Sequence, residues 1–485
     1  MKKILILTLV FLIYLPVLSG QFLDWDDDDL LVNNPAVRVL DIQHVKSIFT
    51  QSPNGMYTPL TVLSFALEHH FVGYNAFVYH LNNLILHLLN TFLVYVLAQQ
   101  LGISVLAAGL ASLLFGIHPM HVESVAWISE RKDVLYAFFY LLSVILYLKN
   151  IDRNRWLLLI LSMICAMLSI LAKPMAVSLP FVLFCCDWWV KRKASRKILW
   201  DKVPYFCFLI PVTWITYVNN LNVGQDAGLS ISFDQISETF LVWAWSLAFY
   251  MRQFIFPQTL SHHYFVPEPV SVFNSEYQLA LFFLFCVFLF IFLFRRFRMC
   301  IFSLCFFLLS IFPVLRNKAA VTHVVADRFM YLSCLGFCFL FAVIIERLLS
   351  LKGGAKRYLR KSVLAGCGVV LVFFCFQTFQ YSKVWRNDVA FWEYVYTLKP
   401  SRINSLICYK LGRAYQTESN FEQALSTYRN HLYGKADKHL SDHERQEVEL
   451  VEKVIALYEQ GITIKPTMND HTYASLKNIY QVLKK

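Results

Sequence analysis

Charge is scarce in this chain. Only 16% of its 485 residues are Asp, Glu, Lys or Arg, whereas 57% are hydrophobic and 16% aromatic, at a mean hydropathy of +0.50. So few charges cannot clothe an ordinary soluble domain. Two further absences narrow the class. No CxxC pair occurs, and of twelve cysteines all but Cys408 fall in or beside apolar runs, so neither a disulfide framework nor a zinc framework is implied. The apolar runs also lack the alternation of a barrel strand. Backbone amides in lipid have no water to bond, so these runs must be helices.

What the chain has instead is a series of runs near the ~20 residues needed to cross hydrocarbon. They lie at about 3–20, 79–98, 104–117, 134–149, 156–172, 175–190, 203–219, 277–294, 300–315, 328–347 and 362–381, eleven predicted spans of a multi-pass protein. The net charge of +12 is not a nucleic-acid footprint, because the basic residues gather in short loops. Lys191, Arg192, Lys193, Arg196, Lys197 and Lys202 fill one, Arg295, Arg296 and Arg298 a second, and Arg347 to Lys361 a third. That positive-inside pattern, with Lys2 and Lys3, predicts a cytoplasmic N-terminus and, after an odd number of spans, an outer C-terminal tail. The stretch 240–257 is apolar enough to span, yet crossing there would invert the loop Arg295 to Arg298; it is read as a re-entrant or interfacial helix. The first run is read as a retained span in preference to a cleaved signal peptide.

From Trp385 onward the chain is polar and helical in period. In "CYKLGRAYQTESNFEQALSTY" the residues Leu411, Gly412, Tyr415, Ala424 and Tyr428 stand at tetratricopeptide-repeat spacing, with Pro400 and Pro466 close to two repeat lengths apart. The domains predicted are therefore 1–384 in the membrane, including a long outer loop over 21–78, and a TPR-like helical tail over 385–485. The outer loop has apolar residues at helical spacing in "DIQHVKSIF" and "YTPLTVLSFALEHHF", which predicts amphipathic helices at the interface.

Ionisable residues then converge on the predicted outer face. The acidic run Asp26, Asp27, Asp28 and Asp29 opens the long loop. "FGIHPMHVESVAWISERKDVL" places His118, His121, Glu123, Glu130, Arg131, Lys132 and Asp133 at the junction of two spans. Lys173 precedes Pro174, and Arg316, Lys318, His323, Asp327 and Arg328 crowd the mouth of another span. Charges at membrane depth are expensive and by default functional. Together these suit an anionic, lipid-linked substrate: cations hold a phosphate while a carboxylate takes a proton from an attacking hydroxyl. His118, His121 and Glu123 could also ligate a divalent metal, or simply cap helices. Arg131 with Asp133 could be a structural ion pair, and Lys173 an interfacial anchor. His80, Asn82, Asn83 and His87 are read as interhelical hydrogen-bonding groups.

Eight stretches in order carry a resemblance: "FLDWDDDDLLVNNPAV", "YTPLTVLSFAL", "YHLNNLILH", "FGIHPMHVESVAWISERKDVLYAFFYLL", "LAKPMAVSLPFVLFCCDWW", "FIFPQTLSHHY", "ADRFMYLSCLGF" and "VWRNDVAFW". The chain resembles the transmembrane-and-TPR-containing O-mannosyltransferases and their bacterial relatives. The resemblance implies an all-α, GT-C-like multi-span fold and a polyprenyl-phosphate sugar as donor. It implies a catalytic base in the acidic motif, which falls on Asp26 and Asp27 by matching "WDD"; Asp28 and Asp29 lie beyond the matched part. It also implies inverting displacement, with Arg131, Lys173 and Arg328, then Lys132 and Arg316, as candidates for the leaving phosphate. Asp133, Asp327, Glu123, His118 and His121 complete the candidate site. No nucleotide is needed, which agrees with the lack of a glycine-rich phosphate loop. The acceptor expected is a polypeptide hydroxyl or a glycan, presented by the TPR-like tail, which is shorter than in the animal members. The membrane is the inner membrane of a bacterium or the endoplasmic reticulum of a eukaryote. Two other classes fit less well: a membrane-anchored TPR scaffold leaves the converging charges without a common purpose, and a lipid-linked-sugar transporter places its polar groups at mid-membrane.

Overall fold

A computed structural model of the chain describes residues 2–52, 55–223, 233–262, 264–315, 324–351, 354–398, 405–418, 420–433, 442–464 and 470–484. Every regular element among them is helical. Among the described residues five helices suffice, by length and composition, to cross a membrane, Ala76–Gln100, Ile128–Arg153, Arg196–Thr216, Ser275–Leu293 and Arg357–Val384. Two bent pairs, Val105–Ile117 with Pro119–Ala126 and Asp327–Ser333 with Leu335–Ser350, and four shorter apolar helices accompany them. Each of the eleven predicted runs coincides with one of these. The first run departs from expectation: its helix stops at Ile13 and continues as a tight turn over Leu15–Ser19, because Pro16 supplies no amide hydrogen to continue the ladder. The helix Phe233–Ile255 covers most of the stretch expected to be re-entrant or interfacial and is outside the set apolar enough to span.

The break after Ile117 shows how polar residues inside spans are used. Pro119 ends the ladder, leaving carbonyls without partners in an apolar setting. Side chains supply them. His121 Nδ1 donates to Phe115 O at 2.7 Å, His87 Nε2 to Gly116 O at 3.0 Å and Thr378 Oγ1 to Ile117 O at 2.7 Å. His87 Nδ1 then accepts from Tyr331 Oη at 2.8 Å, and Asn90 Nδ2 donates to Val134 O at 2.8 Å. Gly116 permits the close approach of the first helix, since a Cβ there would meet Val10 Cγ2 at 2.6 Å.

The loop over 21–78 is more than a pair of helices resting on lipid. Pro35–Arg38, Ile42–Thr50 and Pro59–Val72 bury Leu31, Val37, Ile48, Val62, Phe65 and Ala66 in one small core with Tyr79 and Ile128. Asn34 and Asp41 cap two of these helices, accepting from Ala36 N and His44 N. The chain divides into two compact units, Met1–Ser382 and Lys383–Lys485. The second contains Asp388–Leu398, Ser405–Glu418, Phe421–Tyr433, Asp442–Ile464 and Asp470–Lys484. Within it Gly412 lies against Tyr458, where a Cβ would come within 2.5 Å of the ring. Pro400 and Pro466 lie outside the described residues.

Candidate active site

The helix Arg131–Arg153 begins after a tight turn over Ile128–Glu130, which brings Glu130, Lys132 and Asp133 to one helix end. Asp133 sits in the first turn, where the helix dipole favours an acid. Lys173 is extended because it precedes Pro174, and Arg328 opens the second bent pair. Glu130, 1% exposed, is the hub they share. Its Oε1 lies 3.1 Å from Lys132 Nζ and 3.3 Å from Arg328 Nε, and its Oε2 3.3 Å from Lys173 Nζ. Lys173 reaches Asp133 Oδ1 at 2.5 Å, and Ser124 Oγ donates to Asp133 Oδ2 at 3.1 Å. Arg328 Nη1 contacts Glu123 Oε1 at 2.5 Å while its backbone N–H donates to Glu123 Oε2 at 3.0 Å. The indole of Trp127 lies between the two cations, 5.8 Å from Lys132 Nζ and 5.6 Å from Arg328 Cζ.

The acidic run meets this network at two residues with different settings. Asp26 lies 3.3 Å from Lys132 Nζ with its side chain 30% exposed, at the rim. Asp27 is fully buried. Its Oδ1 accepts from Ser129 N at 2.9 Å and Ser129 Oγ at 2.5 Å, and its Oδ2 from Leu23 N at 3.0 Å. Burial pushes its carboxyl up to about 6, against the lowering effect of those donors. Asp29 is exposed and Asp28 half-buried.

Of the residues singled out in the sequence, Asp26, Glu123, Lys132, Asp133, Lys173 and Arg328 are thus brought together. Asp327 adjoins them, accepting from Tyr264 Oη at 2.7 Å. Three expectations are corrected. Arg131 is committed elsewhere: its guanidinium pairs with Glu68, donates to Asn83 Oδ1 at 2.7 Å and to Tyr79 O at 2.8 Å, and lies over the Phe65 ring. It ties the outer loop to the bundle and is not free to hold a phosphate; nor does it pair with Asp133. His118 and His121 do not join Glu123 in a ligand set. His118 Nε2 donates to Phe254 O at 2.9 Å while its Nδ1 accepts from Met120 N, and His121 serves Phe115 O and lies 3.4 Å from Cys334 Sγ. No group of three His, Cys, Asp or Glu residues among the described residues is arranged to hold a metal. Arg316, with Lys318 and His323, lies outside the described residues.

Sequence reading gave no role to Glu130 and overlooked Glu68, Ser129, His262 and Tyr264. Burial raises the Glu68 carboxyl, opposed by Arg131. The signal for His262 and Tyr264 was present in "SHHY", polar groups in a short stretch between two apolar helices.

No family model matches the chain. A protein O-mannosyl-transferase of Caenorhabditis elegans, F38B6.6, is 24% identical over 453 residues, covering 88% of this chain and 62% of the relative. Tmtc1 of Drosophila melanogaster is 31% identical over 37% of this chain and 22% of its own length, and TMTC1 of Mus musculus 35% identical over 28% and 16%. The chain therefore spans less than two thirds of the length of these relatives. A crystal structure of ArnT from Cupriavidus metallidurans bound to undecaprenyl phosphate aligns over 96% of this chain and 88% of that one, with 10% identity and a TM-score of 0.38. Over 88% of its own length the chain is thus similar to a protein O-mannosyl-transferase, and over shorter stretches to others of that name.

Proposed function

We propose that the protein is a membrane glycosyltransferase of GT-C type that moves a sugar, mannose or similar, from a polyprenyl-phosphate donor to an acceptor hydroxyl, of Ser or Thr in a polypeptide, on the outer face. The observation that carries this reading is the position of Asp26: a carboxylate at the rim, held by Lys132, with Lys173 and Arg328 in the same network. Asp26 is the base and Asp27 its support, because Asp27 has its oxygens filled by Leu23 and Ser129 and faces no solvent. The acceptor oxygen bonds to the anomeric carbon as its proton passes to Asp26. The bond from that carbon to the phosphate oxygen breaks, its electron pair stays on the lipid phosphate, and the configuration inverts. Lys132, Lys173 and Arg328 stabilise the charge that gathers there.

An apolar cavity of about 280 Å³, lined by Met251, Phe254, Phe283, Val287 and Phe337 among others, suits part of an isoprenoid chain. The tail over 385–485 is proposed to present the acceptor. The test is to incubate purified full-length protein with radiolabelled polyprenyl-phosphate sugars and a panel of peptides and glycans. Label moving to an acceptor from at least one donor supports the reading. Retention of all label on lipid, by folded protein, refutes it.

A further inference from the structure

We infer that His262 is a positioning residue that sets how Arg328 meets the donor phosphate, an inference that rests on the function proposed above. His262 follows the helix Phe233–Ile255 and is 3% exposed. Its Nδ1 lies 2.9 Å from Glu123 Oε1, the same oxygen that Arg328 Nη1 contacts, and the two nitrogens are 3.5 Å apart. A carboxylate paired with arginine offers only lone pairs, so Nδ1 carries the hydrogen and donates. The ring is fixed from both sides, edge-on to Trp25 of the acidic loop with centroids 5.5 Å apart and to Trp127 at 4.9 Å. The imidazole is therefore a meeting point of the acidic loop, the span junction and the mouth of the second bent pair.

Left alone with an arginine, a carboxylate takes it by two parallel N–H donors. Here that pairing is not made. Oε2 of Glu123 accepts the backbone N–H of Arg328, and Oε1 is shared with His262. The guanidinium reaches Glu123 through Nη1 and Glu130 through Nε at 3.3 Å. Its Nη2 has no partner among the described residues, and its side chain is 12% exposed. The charged groups facing this corner are Glu123, Glu130, Asp327 and Arg328, with Lys132 across Trp127. Under the proposed function, Nη2 is the edge offered to phosphate. His262, on the oxygen that Nη1 contacts, fixes the direction in which Glu123 holds the guanidinium; without it Glu123 and the guanidinium can swing together and Nη2 is no longer aimed.

The test measures binding of undecaprenyl phosphate, with no sugar attached, to purified full-length wild type and to His262→Asn, His262→Leu, Arg328→Ala and the Arg328→Ala/His262→Leu double variant. Donor KM and kcat follow for whichever donor the wild type uses. His262→Leu should raise the Kd, and the donor KM, about tenfold with little change in kcat, the size of a lost hydrogen bond to a charged group. His262→Asn, whose amide N–H falls near the place of Nδ1, should recover most of that loss. The double variant should bind no worse than Arg328→Ala, since both changes remove one interaction. Asn failing as badly as Leu, additive losses in the double variant, or a loss confined to kcat or thermal stability at unchanged Kd would each overturn the inference, as would a wild type that does not bind the lipid. A wild type that transfers no sugar yet shows the Asn-versus-Leu split in binding defeats the transferase reading and leaves the positioning role standing. Transfer with no such split defeats the positioning role alone.

Discussion

Replacing Asp26 and Asp27 one at a time by Asn separates a base from a support. Asp26 lies 3.3 Å from Lys132 Nζ, and its side chain is 30% exposed. Asn there keeps the shape and costs little stability, but it cannot accept the acceptor's proton, so turnover should fall by ~10²–10⁴-fold. Asp27 has the opposite signature. Its Asn variant can keep its oxygen on Ser129 N and Oγ, but the amide nitrogen then faces Leu23 N–H, donor against donor, at a cost of about 1–3 kcal/mol. Against that, Asn is spared the burial of a charge. The rise of the Asp27 carboxyl from an ordinary 3.8 to about 6 is worth about 3 kcal/mol at neutral pH. The two terms nearly cancel at pH 7, so Asp27→Asn should fold almost as well as wild type and lose less than about tenfold in turnover. The assay is sugar transfer by purified, folded protein with one donor and acceptor, alongside thermal unfolding in the same detergent. Equal losses in the two variants, or a collapse confined to Asp27→Asn, would refute the assignment of the base to Asp26.

Three further outcomes follow from the same geometry. Because the folded state holds the Asp27 proton more tightly than the unfolded state, wild type should lose up to about 3 kcal/mol of stability relative to Asp27→Asn as pH rises from about 4 to about 6, and no more above that; unfolding of both proteins from pH 4 to 7.5 checks it, and a pH-independent difference contradicts it. Arg131→Met should destabilise by ~3–5 kcal/mol by taking the cation from the mostly buried Glu68 and the donors from Asn83 and Tyr79, while a Glu68→Leu/Arg131→Met double variant should regain part of the loss; undecaprenyl phosphate binding by the folded variants should stay at the wild-type level, and a specific loss would return Arg131 to the phosphate. A reporter fused after Leu199 should lie in the cytoplasm and one after Lys485 on the outer side; a cytoplasmic C-terminus would mean that Phe233–Ile255 crosses the membrane or that another span is miscounted.

The amino-acid pattern alone determined the solvent, the helical class and the positions of the membrane runs. Hydrocarbon imposes one requirement on every segment it contains, and a run of apolar residues meets it without reference to its neighbours. The gathering of Asp26, Glu123, Lys132, Asp133, Lys173 and Arg328 was legible for a related reason: charge placed at the ends of apolar helices has few places to go. Which of those charges face one another was not legible. Arg131 and Lys132 are adjacent in the chain, yet the tight turn over Ile128–Glu130 aims one at Glu68 and the other at Asp26. Asp26 and Asp27 are equally acidic in sequence, and only the approach of Ser129, 102 positions away from Asp27, buries one and leaves the other at the rim. The histidines of "HPMH" have the spacing of ligands or caps; the break at Pro119 decides for caps, His121 satisfying the Phe115 carbonyl and His118 accepting from the Met120 amide. Glu130 became the hub and His262 its neighbour's partner through contacts between segments far apart in the chain. Such pairings depend on side-chain direction and on which backbone groups the fold leaves unsatisfied, and these exist only once the helices have packed.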